Sequence, residues 1–147
     1  MNSLAMVQAV EAWAVATIPA LSSFEFPPEE LSSALPIVIA EITDDGLTQS
    51  SDALPGMAQF QQTDLRLWSL DVTLMVSPDP AWTASHTLYG YVDALGTSLR
   101  GGRSLGDKVV MSQYYDASYT PPEVEYPDGT IARQVTISVI VGETIGA

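Results

Sequence analysis

A chain of 147 residues that carries 18 Asp and Glu against five Lys and Arg has a formal net charge of −13, which argues against a grip on nucleic acid through phosphates, since that grip needs clustered bases. It contains no cysteine, so disulfides and thiolate metal sites are excluded and a reducing compartment is no obstacle. No run reaches the roughly 18 uncharged apolar residues that span a bilayer, Met1 to Leu21 lacks the basic start of a signal peptide, and the expectation is one domain over residues 1–147 with one core, neither membrane-bound nor exported by that route.

The first predicted element is a helix that Ser3 can cap, with Met6, Val7, Val10, Trp13, Ala14 and Ile18 on one face and Pro19 closing it. Its polar face offers Gln8 and Glu11 where a membrane-surface helix would show Lys and Arg, so packing on a sheet is the better reading. Residues 21–33, with Phe24, Phe26, Pro27 and Pro28, read as an irregular connection, and LPIVIAEI (35–42) as the first strand. The stretch 43–63 is rich in turn formers and reads as a long loop; a structureless segment of about 20 residues in a compact domain is usually functional or disordered. The alternative is a hairpin whose strands carry weak local signals.

Residues 64–102 form the unit around which the chain is organised. Trp68, Leu70, Val72, Leu74 and Val76 alternate with Ser69, Asp71 and Thr73, the period of a sheet covered on one side. After the turn SPDP, Ala81, Ala84, Leu88, Tyr91/Val92, Leu95 and Leu99 make the apolar stripe of a helix that supplies the cover, and Gly101 and Gly102 stand where a helix commonly stops. VVMSQYY (109–115) is a further strand. DASYTPPEVEYPDG (116–129) reads as a loop, and 131–141 as the last strand, with Arg133 the exception on its apolar face. The order helix, strand, long loop, strand, helix, strand, strand predicts an α+β fold of two layers: about four mostly antiparallel strands, two helices on one face, and long loops.

Signals of chemistry are sparse. His86 is the one histidine, with Thr83 and Thr87 near it in sequence, and a triad or metal site needs partners that the sequence does not supply. Asp44, Asp45 and Gly46 lack the ligand spacing of a calcium loop and fit a tight turn. In GGRSLGDK, Gly101 and Gly106 have the outer spacing of a phosphate-binding loop, but Lys108 comes one residue late, Val109 replaces the hydroxyl residue and a strand follows, so that reading is rejected. Glu123, Glu125 and Asp128 alternate in a Pro-rich segment, as on a solvated edge. Tyr114, Tyr115, Tyr119 and Tyr126 fall within thirteen residues, a composition favoured at protein interfaces and equally compatible with a loop packed on its own sheet.

An amphipathic N-terminal helix, the strand with Arg66, Trp68, Leu70, Asp71, Val72, Leu74 and Val76, the helix LYGYVDALGTSLRGG and the ending YPDGTIARQVTISVIVGE together resemble the tail terminator proteins of long-tailed, siphovirus-type bacteriophages, particularly those of actinobacterial hosts. The resemblance spans nearly the whole chain and rests on the order of elements and on residue texture. It implies a structural protein without enzymatic activity or cofactor, assembled as a homohexameric ring on the head-proximal end of the tail tube, where the ring stops tube polymerisation and presents the head-attachment surface. The implied partners are further copies of the chain, the tail tube protein and the head-tail connector or stopper proteins. The implied location is the neck of the virion, after assembly in the host cytoplasm, with genome DNA passing through the ring unbound.

A ring closed head to tail needs two different faces per protomer. Leu54, Met57 and Phe60 of the long loop and Tyr114, Tyr115, Tyr119 and Tyr126 are the expected contact residues; Asp44, Asp45, Asp52 and Asp64, flanking that loop, are the expected acids of the lumen. An acidic wall would let a polyanion slide without sticking, and the plain alternative is a solvated surface. Two other readings stand beside this one: another neck or tail component, such as a head-completion protein or tube subunit, and a small enzyme or ligand-binding domain centred on His86 or the acidic loop.

Overall fold

Alternation between Trp68 and Val76 places every second side chain on the same side of one extended segment, and the molecule is built outward from it. The computed structural model describes residues 2–23, 35–49, 64–78, 81–99, 109–119, 123–125, 129 and 131–144. Helix α1 (Ser3–Thr17), strands β1 (Ser22–Ser23), β2 (Ile37–Gln49) and β3 (Asp64–Val76), helix α2 (Ala81–Leu99), and strands β4 (Val109–Ser118), β5 (Glu123–Glu125) and β6 (Ile131–Thr144) follow in that order. The strands make one six-stranded sheet ordered β1-β2-β3-β6-β4, with β5 also on β6. Only β1 pairs in parallel; β3 is laddered on both sides to antiparallel neighbours. β4 pairs with β6 from Thr136 to Glu143 and β5 from Ile131 to Arg133, so both lie along the same edge of β6.

The fold is the α+β architecture expected, with more strand. Residues 43–49, read as the start of a long loop, continue β2 and pair with β3 from Asp64 to Ser69 after a register shift between Ile42 and Asp44. Asp116, Ala117 and Ser118 belong to β4, and Glu123–Glu125 to β5, where a loop was expected. Both differences have one cause. A strand of low intrinsic propensity is stabilised by the neighbour it pairs with, and β3 and β6 are strong templates.

The helices cover one face, as the sequence predicts. Met6, Val10, Trp13, Ala14 and Ile18 of the first helical segment and Ala84, Leu88, Val92, Leu95 and Leu99 of α2 pack in one cluster with Val38, Trp68, Leu70, Val72, Leu74, Val135, Ile137, Val139 and Val141. Burying each such side chain contributes roughly 1.5–3 kcal/mol. The helices are tied to each other where they cross: Trp13 Nε1 donates to Ser98 Oγ at 2.9 Å, and the Thr17 hydroxyl lies 3.3 Å from the same oxygen while donating to Trp13 O at 2.9 Å. A smaller apolar group, Ile37, Met75 and Ala132 with Leu35, Ile39 and Val124 against it, occupies one end of the opposite face.

Asn2, one residue earlier than the Ser3 expected, caps α1; its Oδ1 accepts the Ala5 N–H at 2.8 Å. The helix ends before Pro19, with the Ile18 N–H donating to Ala14 O at 2.8 Å. Arg133, the misfit on the apolar face of β6, is explained by register: it lies opposite Glu123 at the sheet's end, Nη1 to Oε1 3.4 Å.

Glu11 sits on the covered side of α1 with 3% exposure, and its Oε2 accepts the Ala40 N–H at 3.1 Å. β1 pairs only with Ile37 and Val38, so a helix side chain takes over the β2 edge where the short strand stops. Glu11→Ala leaves that buried N–H without its acceptor and is expected to cost about 1–3 kcal/mol in urea unfolding. Gly90 is the opposite case: it is exposed within α2, and a methyl group added to its Cα would meet nothing within 4 Å. Gly90→Ala is expected to stabilise the helix by about 0.5–1 kcal/mol and to raise the unfolding midpoint; an unchanged or lower midpoint contradicts this.

Candidate interaction surfaces

The face of the sheet turned away from the helices carries side chains of the other parity. Register lines up Glu41 of β2, Asp71 of β3, Ser138 of β6 and Asp116 of β4 in a single row across four strands. The neighbouring row is Ile39, Thr73, Thr136 and Ser118. Asp71 Oδ1 accepts the Ser138 hydroxyl at 3.3 Å, and the Thr73 and Thr136 hydroxyls are 3.2 Å apart. Glu41 and Asp116 are exposed and Asp71 is half-buried. Asp44, also exposed, follows in the next row, opposite Ser69. Among the described residues of this face there is no Lys or Arg; Arg66 and Arg133 are of the other parity. Two carboxylates directly opposite each other, as Glu41 and Asp71 are, repel, so the row lowers the stability of the sheet that holds it.

Of the acids expected at a lumen, Asp44 is on this face. Asp45, expected in a loop, is a β2 position paired with Trp68; Asp64 begins β3 as expected, paired with Gln49; Asp52 lies outside the described residues. Glu41, Asp71 and Asp116 are not legible as a set in the sequence because they are distant along the chain. Their joint signal is the polar parity of each strand, and the register that aligns them is a tertiary fact.

The expected contact residues divide similarly. Leu54, Met57, Phe60 and Tyr126 are outside the described residues. Tyr114 and Tyr115 are in β4, the strand expected over 109–115, at a register shift between Tyr114 and Asp116. Tyr119 is half-buried against the main core, and its ring meets Tyr89 edge-on, centroids 5.4 Å apart at 79°. Tyr89 is 51% exposed on α2 and lies 6.1 Å from the His86 ring. His86 thus belongs to an aromatic patch beside the β4 edge. Among the described residues, no group of three or more His, Asp and Glu side chains is placed to hold a metal ion.

The opposite edge of the sheet is concave. Gln8, Glu11, Ala12, Val15 and Ala16 of α1 and Ser23 of β1 line a groove of about 550 Å³. A smaller hollow of about 270 Å³ opens between the end of β3 and the start of α2, lined by Val76, Thr83, Thr87 and Tyr91 among others. At the far end of the covered face, the Arg66 guanidinium lies 3.9 Å over the Trp68 ring, and Arg66 is register partner to Glu143, which is 1% exposed. Stacking on an indole keeps a guanidinium's charge favourable where water is scarce. No described helix is long and apolar enough to cross a membrane.

No family model matches the chain, and no curated protein matches it. Among solved structures, a chain of the "Virion of native gene transfer agent (GTA) particle" aligns over 97% of this chain and 93% of that one, at 13% sequence identity and a TM-score of 0.47.

Proposed function

We propose that this protein is a structural component of a phage-like virion and, more specifically, a tail terminator: a ring of identical copies that ends the tail tube and receives the head. The observation that carries the reading is the sheet face turned away from the helices, where Glu41, Asp71 and Asp116 form one row among hydroxyls, with no Lys or Arg beside them among the described residues. Such a face suits the wall of a channel. At a net charge of −13 the protein repels a passing polyanion, and hydroxyls hydrate the wall without offering a phosphate a cationic partner. The texture of the sequence, from the β3 pattern to the closing YPDGTIARQVTISVIVGE, supports the same reading. In this ring the helices face outward, the sheet faces the hole, and the two edges of the sheet face neighbouring copies. Tail tube and connector proteins meet the ring's two ends.

Electron microscopy of the purified chain is expected to show single closed rings, and native mass spectrometry one discrete multiple of the protomer mass. Open-ended tubes would identify a tube subunit instead; monomers alone at micromolar concentration, with no affinity for tube ends, would overturn the proposal.

Exposed like charges interact over about 8–10 Å at physiological ionic strength and are screened above it. Ring formation is therefore expected to strengthen as salt rises from about 0.05 to 0.5 M in sedimentation velocity, and the double variant Glu41→Gln, Asp116→Asn is expected to flatten that dependence. Rings that fall apart with added salt would mean that inter-subunit ion pairs dominate.

A further inference from the structure

We propose that Tyr89 of one copy inserts into the groove between α1 and β1 of the next, and so brings the β4 edge of the first protomer against the β2 edge of the second. The inference rests on the reading that the chain assembles with itself and names the surfaces that meet. α2 lies over β3, β6 and β4, whereas α1 lies over β2. The aromatic knob and the groove are thus at opposite edges of one sheet, the arrangement a head-to-tail contact requires, since the two sides of such a contact are different surfaces of the same molecule.

Shape and chemistry agree. Tyr89 stands out at 51% exposure, held from one side by the Tyr119 ring at 5.4 Å, so it reaches solvent already oriented. A two-torsion aromatic ring loses little freedom on docking. The groove offers the small side chains Ala12 and Ala16 beside Val15 for the ring, with Gln8 and Ser23 for its hydroxyl. Glu11 lines the same groove, its buried carboxylate already accepting the Ala40 N–H. The knob side carries the Tyr89 phenol and the His86 imidazole, so hydrogen-bonding side chains stand on both sides of the contact.

Area sets the division of labour. One aromatic side chain buries about 150–250 Å², whereas a specific interface needs about 800 Å² on each partner. Tyr89 is therefore the anchor, and the sheet edges supply the rest of the contact. β2 from Ile39 to Gln49 has no partner strand on its outer side among the described residues, and neither has β4. Long open edges of this kind are templates for another chain. The register shifts, at Ile42/Asp44 in β2 and at Val109/Met111 and Tyr114/Asp116 in β4, bend the edges and limit pairing to the regular segments on either side of each shift.

The absence of cysteine makes a direct test clean. Single variants Tyr89→Cys and Ala16→Cys are mixed under mild oxidation and resolved on a non-reducing gel, with Leu4→Cys, an exposed position at the start of α1, as the control partner. The mixture is expected to give a disulfide-linked dimer at least several-fold above either variant alone and above the Leu4→Cys control, and the double variant is expected to give a ladder ending at the ring's copy number. Ala16→Trp, which fills the groove from an exposed helix position, and Tyr89→Ala are each expected to weaken assembly by tenfold or more while the circular dichroism of the protomer is unchanged. If wild-type rings form but neither the cross-link nor the weakening is seen, this interface is overturned and the ring reading stands. Wild-type chains that stay monomeric overturn both.

Discussion

The constraint on which everything else depends is the two-sided pairing of β3. Because it is laddered to β2 and β6 over its whole length, its backbone has no freedom to shift register, and a one-residue slip would exchange its two faces. Trp68, Leu70, Val72, Leu74 and Val76 are thereby committed to the helices, and Ser69, Asp71 and Thr73 to the other side. The acidic row is a consequence of the same commitment. Once Asp71 is fixed outward, Glu41 and Asp116 are brought beside it by the ladders of their own strands, despite the repulsion that follows.

The edges of the sheet are treated differently from its faces. On the β2 side, a two-residue strand and one buried carboxylate, Glu11, occupy the first backbone groups and leave the rest of the strand open among the described residues. On the β4 side, Tyr119 leaves the end of the strand to pack on the core and props up Tyr89. A solitary globule of this size would gain from blunting both edges with lysines or prolines. Among the described residues the surfaces beside them are an aromatic knob and an apolar-floored groove, the pair that the proposed contact uses.

Buried polar groups are concentrated where elements meet. Trp13, Thr17 and Ser98 tie the two helices together, and Glu11 ties α1 to β2. Each fixes a relative position that apolar packing alone would leave free to slide, since dispersion contacts are non-directional and a hydrogen bond is not. A body fixed in this way presents its knob, groove and face at constant relative angles, as closure of the proposed ring would require.

Local pattern determined a good deal by itself. The apolar stripes of α1 and α2, the alternation of β3 and β6, and the stop before Pro19 are properties of residues three or four apart, or two apart, and they specified two helices on one face of a largely antiparallel sheet. Composition specified a net charge of −13, which argues against a grip on phosphates. Tertiary structure decided the rest. Residues 43–49, with Asp44 and Asp45 among them, became strand because β3 offered them a ladder, and Asp116 to Ser118 became strand because β6 did. Asp44 and Asp45, adjacent in sequence, pair with different partners, while Glu41, Asp71 and Asp116, far apart along the chain, share one row. Neighbourhood across a sheet is set by register, and register is a property of two strands together that neither strand's sequence contains.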